Sequence, residues 1–257
     1  MNKTVFQDFL NCKVEHYNNA SFIEDDPVSI PHRFSLLQDI EIAGFFAAML
    51  SWGKRSMIIR NCGRLMEMMG NTPYDFILHH EPSDLKPMQR FAHRTFNATD
   101  LLYFIDFLHE YYSTFLSMES AFSTHLDPGD KNVKKALIGF QQIAFAGEHP
   151  ARTRKHLSSP ARNSACKRMN MFLRWMVRSD HQGVDFGLWK QISPAQLVIP
   201  MDVHVTRVAR RFGLIPSEAV NWKNAEILTD ELRKFDPDDP VKYDFALFGM
   251  GVMEKFV

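Results

Sequence analysis

Apolar side chains recur along this chain at steps of three and four residues, and that spacing constrains the fold more than any other feature. Ile42, Phe45, Phe46, Met49 and Leu50 follow it, and so do Leu101, Phe104, Ile105, Leu108 and Tyr112. Strict alternation of apolar and polar residues, the mark of a half-buried strand, is nearly absent. The pattern predicts an all-α protein with helices over 3–18, 38–51, 55–70, 73–80, 99–115, 131–146, 160–179, 203–212, 222–235 and 240–253. Thr72-Pro73, Ser159-Pro160 and Asp239-Pro240 each set a capping side chain before a proline that needs no N–H partner, so each reads as a helix start. The polar, proline-bearing stretches 19–35, 82–97 and 147–159 read as loops.

With 257 residues and 45% apolar content, the chain can bury a substantial core. Its 30 basic and 30 acidic side chains cancel, so net charge gives no argument for a nucleic-acid partner and only local clustering can. Cys12, Cys62 and Cys166 are too widely spaced for a metal or redox pair and odd in number for a disulfide framework, which points to a reducing, cytoplasmic setting. Asp8, Lys13 and Glu15 interrupt the first apolar positions, and no apolar run nears the ~20 residues of a membrane span. A soluble protein without a membrane partner is expected.

Charge does cluster. Between His149 and Ser179 stand eight basic residues (Arg152, Arg154, Lys155, Arg162, Lys167, Arg168, Arg174 and Arg178) and no carboxylate. On a helix beginning at Pro160, Ala165, Met169, Phe172 and Met176 make an apolar stripe, and Lys167, Arg174 and Arg178 make a cationic one. A solvated surface helix usually mixes signs, whereas an uninterrupted basic run suits phosphate contact. Lys54, Arg55, Arg60 and Arg64 form a second acid-free group. Glu226, Asp230, Glu231, Asp236, Asp238 and Asp239 gather near the C-terminus, a surface expected to face away from DNA.

The segment Ile199-Pro200-Met201-Asp202-Val203-His204-Val205-Thr206-Arg207-Val208-Ala209-Arg210-Arg211-Phe212-Gly213-Leu214 carries more information than any other. It resembles the part of the helix-hairpin-helix DNA glycosylases that reads Pro-Val-Asp-Thr-His-Val, then Arg-Val and Arg-Leu-Gly-Leu. The resemblance makes Asp202 the catalytic carboxylate and places His204 and Arg207 against DNA. A carboxylate opening a helix is favoured by the dipole and by free N–H groups, and a fixed anion stabilises the oxocarbenium-like state of glycosidic cleavage. A lone Asp before a helix is also simply an N-cap, and His204 and Arg207 also fit structural roles. Val241-Lys242-Tyr243-Asp244-Phe245-Ala246-Leu247-Phe248-Gly249-Met250-Gly251 resembles the superfamily's last helix, which packs beside the aspartate; Phe248 is assigned there to a base pocket. No cluster-binding cysteines follow, so neither an iron–sulfur cluster nor any other cofactor or metal is expected.

Bifunctional members of that superfamily carry a lysine ahead of the aspartate, in a glycine-rich hairpin. The corresponding stretch, Leu157 to Asn170, has no such glycines, and Lys167 takes the lysine's place. The hairpin is therefore degenerate, as in the archaeal-type 8-oxoguanine DNA glycosylases, a branch this chain resembles. An uncharacterised bacterial family with the run Lys-Arg-Met-Asn-Met-Phe-Leu-Arg-Trp-Met-Val-Arg is also similar. A neutral Lys167 attacking the sugar would form a Schiff base with lyase potential; as a phosphate contact instead, it would leave a monofunctional enzyme. Ser159, Arg162 and Arg168 are assigned to phosphate contact in place of the missing glycine backbone.

Glycosylases hold an extruded nucleotide among aromatic or apolar side chains. The segment Ala48 to Arg55 sits where the superfamily has a pocket and wedge motif, which assigns Lys54 and Arg55 to DNA and leaves Trp52 either a stacking surface or core. Phe91, His93, Arg94 and Phe96 form an aromatic and basic loop without a motif behind it. The expected function is excision of a damaged base, 8-oxoguanine favoured, from double-stranded DNA by a monomer. The alternative is a catalytically silent DNA-binding protein. His79-His80-Glu81 and His109-Glu110 lack metal-ligand spacing, which argues against a metal hydrolase. The resemblance implies two lobes, 31–185 with the hairpin-like element and 1–30 plus 186–257, with DNA across the cleft between them.

Overall fold

The computed structural model of the chain describes residues 3–254 and 256, and its fold is all-α. In chain order the helices are α1 (Lys3–Tyr17), α2 (Ala20–Glu24), α3 (Leu37–Leu50), α4 (Arg55–Met68), α5 (Pro73–His79) and α6 (Ala98–Tyr112). They continue with α7 (Glu119–Ser123), α8 (Lys134–Ala144), α9 (Lys167–Val177), α10 (Val203–Arg211), α11 (Trp222–Arg233) and α12 (Tyr243–Val252). Within the stretch expected to be loop over 82–97, β1 (Ala92–His93) and β2 (Phe96–Asn97) form a small antiparallel hairpin with His93 opposite Phe96.

The helix expected over 160–179 starts seven residues late, at Lys167. Ser159-Pro160 opens only a 3-10 turn, Pro160–Arg162, which ends at Asn163 in the left-handed region with φ 56°. That conformation turns the Asn163 carbonyl to accept the Trp222 N–H at 3.1 Å and its Oδ1 to accept the Lys223 N–H at 3.2 Å. Cys166 is also left-handed, φ 48°, so the element expected as a degenerate hairpin consists of two left-handed residues beside a 3-10 turn. The other two starts lie where expected but without their caps. Thr72 makes no side-chain cap bond to α5, and Asp239, ahead of the 3-10 turn Pro240–Lys242 that leads into α12, gives its carboxylate to Arg178 at 2.9 Å.

The chain groups into two compact units, one of Met1–Phe22, Leu126–Leu137 and Ser159–Val257, the other of Ile23–His125 and Ile138–Ser158. The sequence reading divides the chain near residues 30 and 185; here the stretch from Ser159 groups with the C-terminal helices.

In the second unit α3 is apolar all round and every residue from Ile40 to Leu50 is buried, as a central helix must be. Its one buried carboxylate, Glu41, is satisfied by the Tyr112 hydroxyl at 2.8 Å, the Ser117 hydroxyl at 2.6 Å and the Met118 N–H at 3.0 Å. Asp100 completes a capping box with Asn97 at the start of α6 and also accepts the Thr153 hydroxyl at 2.8 Å.

In the first unit α12 packs against both α1 and α10, and two glycines let the helices approach. A Cβ on Gly249 would lie 2.3 Å from the Tyr17 ring, and one on Gly251 would lie 3.1 Å from the His204 carbonyl. Trp175, Trp189, Trp222, Tyr243, Phe172 and Phe245 fill the interior. From Met169 to Val177 every residue of α9 is buried, arginine included.

Candidate functional site

The two residues expected to carry chemistry meet in the first unit. Asp202 is the N-cap of α10, with its Oδ1 accepting the N–H groups of His204 at 2.9 Å and Val205 at 3.0 Å. The buried run Leu197–Met201 before it fixes where the helix begins. These two bonds occupy one oxygen and leave Oδ2 facing Lys167 Nζ at 3.6 Å. Lys167 is the first residue of α9, so its side chain leaves the helix at an end rather than along a face. Both side chains keep some exposure, 29% for Lys167 and 21% for Asp202, so the pair is reachable from solvent. The cap reading and the catalytic reading of Asp202 are thus compatible, because each uses a different oxygen.

The cationic stripe of α9 is not a surface. Arg174 and Arg178 are 4% and 3% exposed, and their charges are met by carboxylates from beyond the acid-free run, Asp180 and Asp185 just after it and Asp239 and Asp244 far downstream. Arg174 donates to Asp185 at 3.2 Å and to Asp244, and its guanidinium lies 4.3 Å from the Phe245 ring centroid. Arg178 donates to Asp185 at 3.0 Å, Asp180 at 2.6 Å and Asp239 at 2.9 Å. Buried arginines of this kind are structural ion pairs and contribute nothing to a phosphate-binding face. The acidic C-terminal surface is likewise largely paired: Asp230 with Lys131 and Arg233, Glu226 with Lys134, Glu231 with Lys234 and Asp236 with Lys242.

Asp244 is the lone acid in the apolar run of α12, and its buried partner was not anticipated from the sequence. It is 5% exposed, one oxygen takes the Arg174 guanidinium, and Oδ1 is buried without a hydrogen-bond partner. Burial pushes its pKa up to about 6, with Arg174 and Lys167 pulling down and the charge of Asp202 pushing further up. A carboxylate stranded among apolar helix residues was the available signal, since such a group requires a buried cation nearby.

The remaining expected residues scatter. Ser159 is 2% exposed and its hydroxyl accepts the Ala161 N–H, so it caps a turn and is not presented for phosphate contact. Arg162 and Arg207 are exposed, Arg168 and His204 are half-buried, and burial lowers the pKa of the Arg168 guanidinium. Phe248 is half-buried with its ring 6.3 Å from Phe22. In the other unit Trp52 is 49% exposed, which decides against the core reading, and the Arg94 guanidinium lies 4.3 Å above its ring. Phe91 and Phe96 are buried and His93 is held by Asn61, so Arg94 is what that loop offers to the surface. Lys54 is exposed at the start of α4 and Arg55 half-buried behind it.

That unit also has a pocket of about 420 Å³ between the end of α4 and α5, bordered by Met68, Asp75, Phe76, His79 and His80. The histidines around it have local tasks: His79 pairs with Asp75 at 3.0 Å and His80 Nδ1 bonds the Phe76 carbonyl. Among the described residues no group of three or more His, Cys, Asp or Glu side chains is arranged to hold a metal ion, and no helix is long and apolar enough to cross a membrane.

Fold and site together define an all-α protein with a half-exposed lysine–aspartate pair backed by buried arginine–aspartate pairs. The chain belongs to the family described as "Protein of unknown function (DUF2400)", whose profile matches residues 26–253. No curated protein and no solved structure matches it.

Proposed function

We propose that this protein is a base-excision DNA glycosylase in which Lys167 and Asp202 act on the sugar of an extruded nucleotide. The observation that carries the reading is the 3.6 Å approach of Lys167 Nζ to Asp202 Oδ2, with Asp202 fixed through its other oxygen and both groups open to solvent. The resemblance of 199–214 to the helix-hairpin-helix glycosylases supports it. In this chemistry the neutral amine forms a bond to C1′ as the glycosidic C–N bond breaks, and the bonding pair leaves with the base, which takes up a proton. The Asp202 carboxylate offsets the positive charge that develops on the sugar. Ring opening then gives a Schiff base, from which elimination can cut the strand.

Exposed Arg162 and Arg207, in the same unit as Lys167 and Asp202, supply phosphate contacts in this reading. The test is borohydride trapping on duplexes bearing oxidised, deaminated or alkylated bases, with 8-oxoguanine expected to react first. Lys167→Gln should lose the trapped adduct and Asp202→Asn should lose turnover. An adduct that survives in Lys167→Gln moves the nucleophile elsewhere.

One observation favours a second reading, a catalytically silent DNA-binding protein. Lys167 Nζ lies 3.6 Å from the Asp202 carboxylate, an approach that an ion pair with a purely structural role would also make. Duplex binding without excision of any base on the panel would select it.

A further inference from the structure

Of the four tryptophans, Trp175, Trp189 and Trp222 are buried and Trp52 is not. Its backbone is nonetheless tied down. The Trp52 N–H donates to the Leu50 carbonyl at 2.6 Å as the chain leaves α3, and the buried ring of His93 in β1 donates from Nε2 to the Trp52 carbonyl at 3.2 Å. Asn61 of α4 donates to His93 Nδ1 at 2.9 Å, so the hairpin, α4 and the Trp52 backbone meet at one point. At the hairpin turn Arg152 donates to the Thr95 carbonyl at 2.8 Å. The other turn residue, Arg94, is left-handed at φ 55° and lays its side chain across Gly53, with the guanidinium 4.3 Å from the Trp52 ring centroid. Glycine is required at position 53 twice over, since its φ is 119° and a Cβ there would lie 3.1 Å from Arg94 Cδ.

Free cations continue this surface. Lys54, Arg60, Arg64 and Arg94 are exposed, and among the described residues none of them forms an ion pair. At 3.6 residues per turn, Met57, Arg60 and Arg64 fall within about a third of a turn of Asn61 and to one side of it, which sets them beside the hairpin. Met57 is exposed as well, and Glu67, the acid of α4, lies beyond them near the helix end. From Lys54 to Arg64 the row runs about 15 Å. A flat ring carrying a guanidinium is a place for a planar π system to stack, and unpaired cations in a row suit spaced phosphates. An acidic side chain would engage the cations and leave the ring unused, whereas a nucleotide engages both. A duplex keeps its base faces stacked inside, so the ring selects an unpaired strand.

We propose that Trp52 and Arg94, with Lys54, Arg60 and Arg64, form a surface that binds single-stranded nucleic acid, a base stacking on the indole and the flanking phosphates meeting the cations. The surface lies wholly within the second unit, and the assignment does not rest on the reading of Lys167 and Asp202.

The test is a fluorescence titration of the full chain with undamaged single strands of about ten nucleotides, as DNA and as RNA, beside a sugar–phosphate strand of the same length without bases. Because the other tryptophans are buried, a change in emission reports Trp52. Strands with bases should quench it and bind about tenfold more tightly than the baseless strand, and the tighter of DNA and RNA identifies the ligand. The matching duplex should leave the emission unchanged. Trp52→Leu should abolish the tenfold preference while the baseless strand binds as before. Arg60→Gln combined with Arg64→Gln should weaken all three strands alike and lower the slope of log affinity against log salt by about 1.4, two contacts at about 0.7 each. Equal affinity for strands with and without bases overturns the proposal, and this comparison needs only the wild-type chain. So do equal quenching by the duplex, a preference that survives in Trp52→Leu, and single-strand binding that depends on Arg162 and Arg207 instead. Undamaged strands offer nothing to excise, so the outcome is separate from that of trapping.

Discussion

Asp202 shows how one side chain serves two purposes through two oxygens. Its cap function needs only an acceptor for the His204 and Val205 N–H groups, which asparagine supplies, whereas the contact with Lys167 needs a charge. Asp202→Asn should therefore unfold within about 0.5 kcal/mol of wild type and, on the proposed glycosylase reading, lose turnover, whereas Asp202→Ala should lose about 1 kcal/mol of stability as well. Urea denaturation beside the trapping assay separates the two, and a destabilised Asp202→Asn would mean that the charge itself holds the helix. Asp244 gives the complementary case in pH. Its folded pKa, raised to about 6 from 3.8 mainly by burial, means that between those values the folded chain holds a proton the unfolded chain has released. The stability this provides is complete below the lower value and lost as pH rises through the upper one, on the order of 3 kcal/mol in all. The stability of wild type relative to Asp244→Asn should thus decline from pH ~4 to pH ~7 by that amount. A difference that stays level with pH would place the carboxyl in a more hydrated setting.

At the scale of elements, α12 depends on two glycines for its neighbours rather than for its own backbone. Gly249→Ala drives a methyl into the Tyr17 ring 2.3 Å away, so α1 must shift or lift. The expected cost is about 1–3 kcal/mol, read as a lower thermal midpoint. Near-wild-type stability would show that α1 is loosely seated. Helices α3, α4, α10 and α12 were legible from apolar spacing, because their boundaries are set by residues close in sequence. The start of α9 was not. Asn163 and Cys166 are left-handed because the chain there is tied to the start of α11, through the Ser164–Asn221 bridge and the Asn163 bonds to Trp222 and Lys223. Those partners lie some sixty positions downstream, beyond any local pattern. Lys167 and Asp202 were legible from resemblance, and the 3.6 Å between them is what the structure adds. The Arg174–Asp244 pair was hidden because a basic residue on an amphipathic helix looks the same whether its carboxylate is absent or seventy residues away.

For the molecule as a whole, that last point limits what sequence charge says about a surface. The acid-free run from His149 to Ser179 is supplied with carboxylates from elsewhere: Asp100 for Arg152, Asp202 for Lys167, and Asp180, Asp185, Asp239 and Asp244 for the two buried arginines. Arg154 lies 5.4 Å from the Phe145 ring centroid, while Lys155 and Arg162 stand exposed. With 30 basic and 30 acidic residues overall, the field available to a polyanion comes from a few such free side chains rather than from eight in a row. On the proposed DNA-binding reading, duplex affinity should fall with salt less steeply than eight phosphate contacts would require, since each contact adds about 0.9 to the slope of log affinity against log salt. Arg162→Ala and Arg207→Ala should each reduce that slope by about one and weaken all duplexes alike, damaged or not. Replacing Arg174 or Arg178, whose charges are already neutralised inside the protein, should change stability and leave the slope where it was. Fluorescence anisotropy across a salt series reads all four variants in one format. A slope that drops in the Arg174 or Arg178 variants would mean that those ion pairs open when DNA binds, and the buried cluster would then have to be counted as part of the interface.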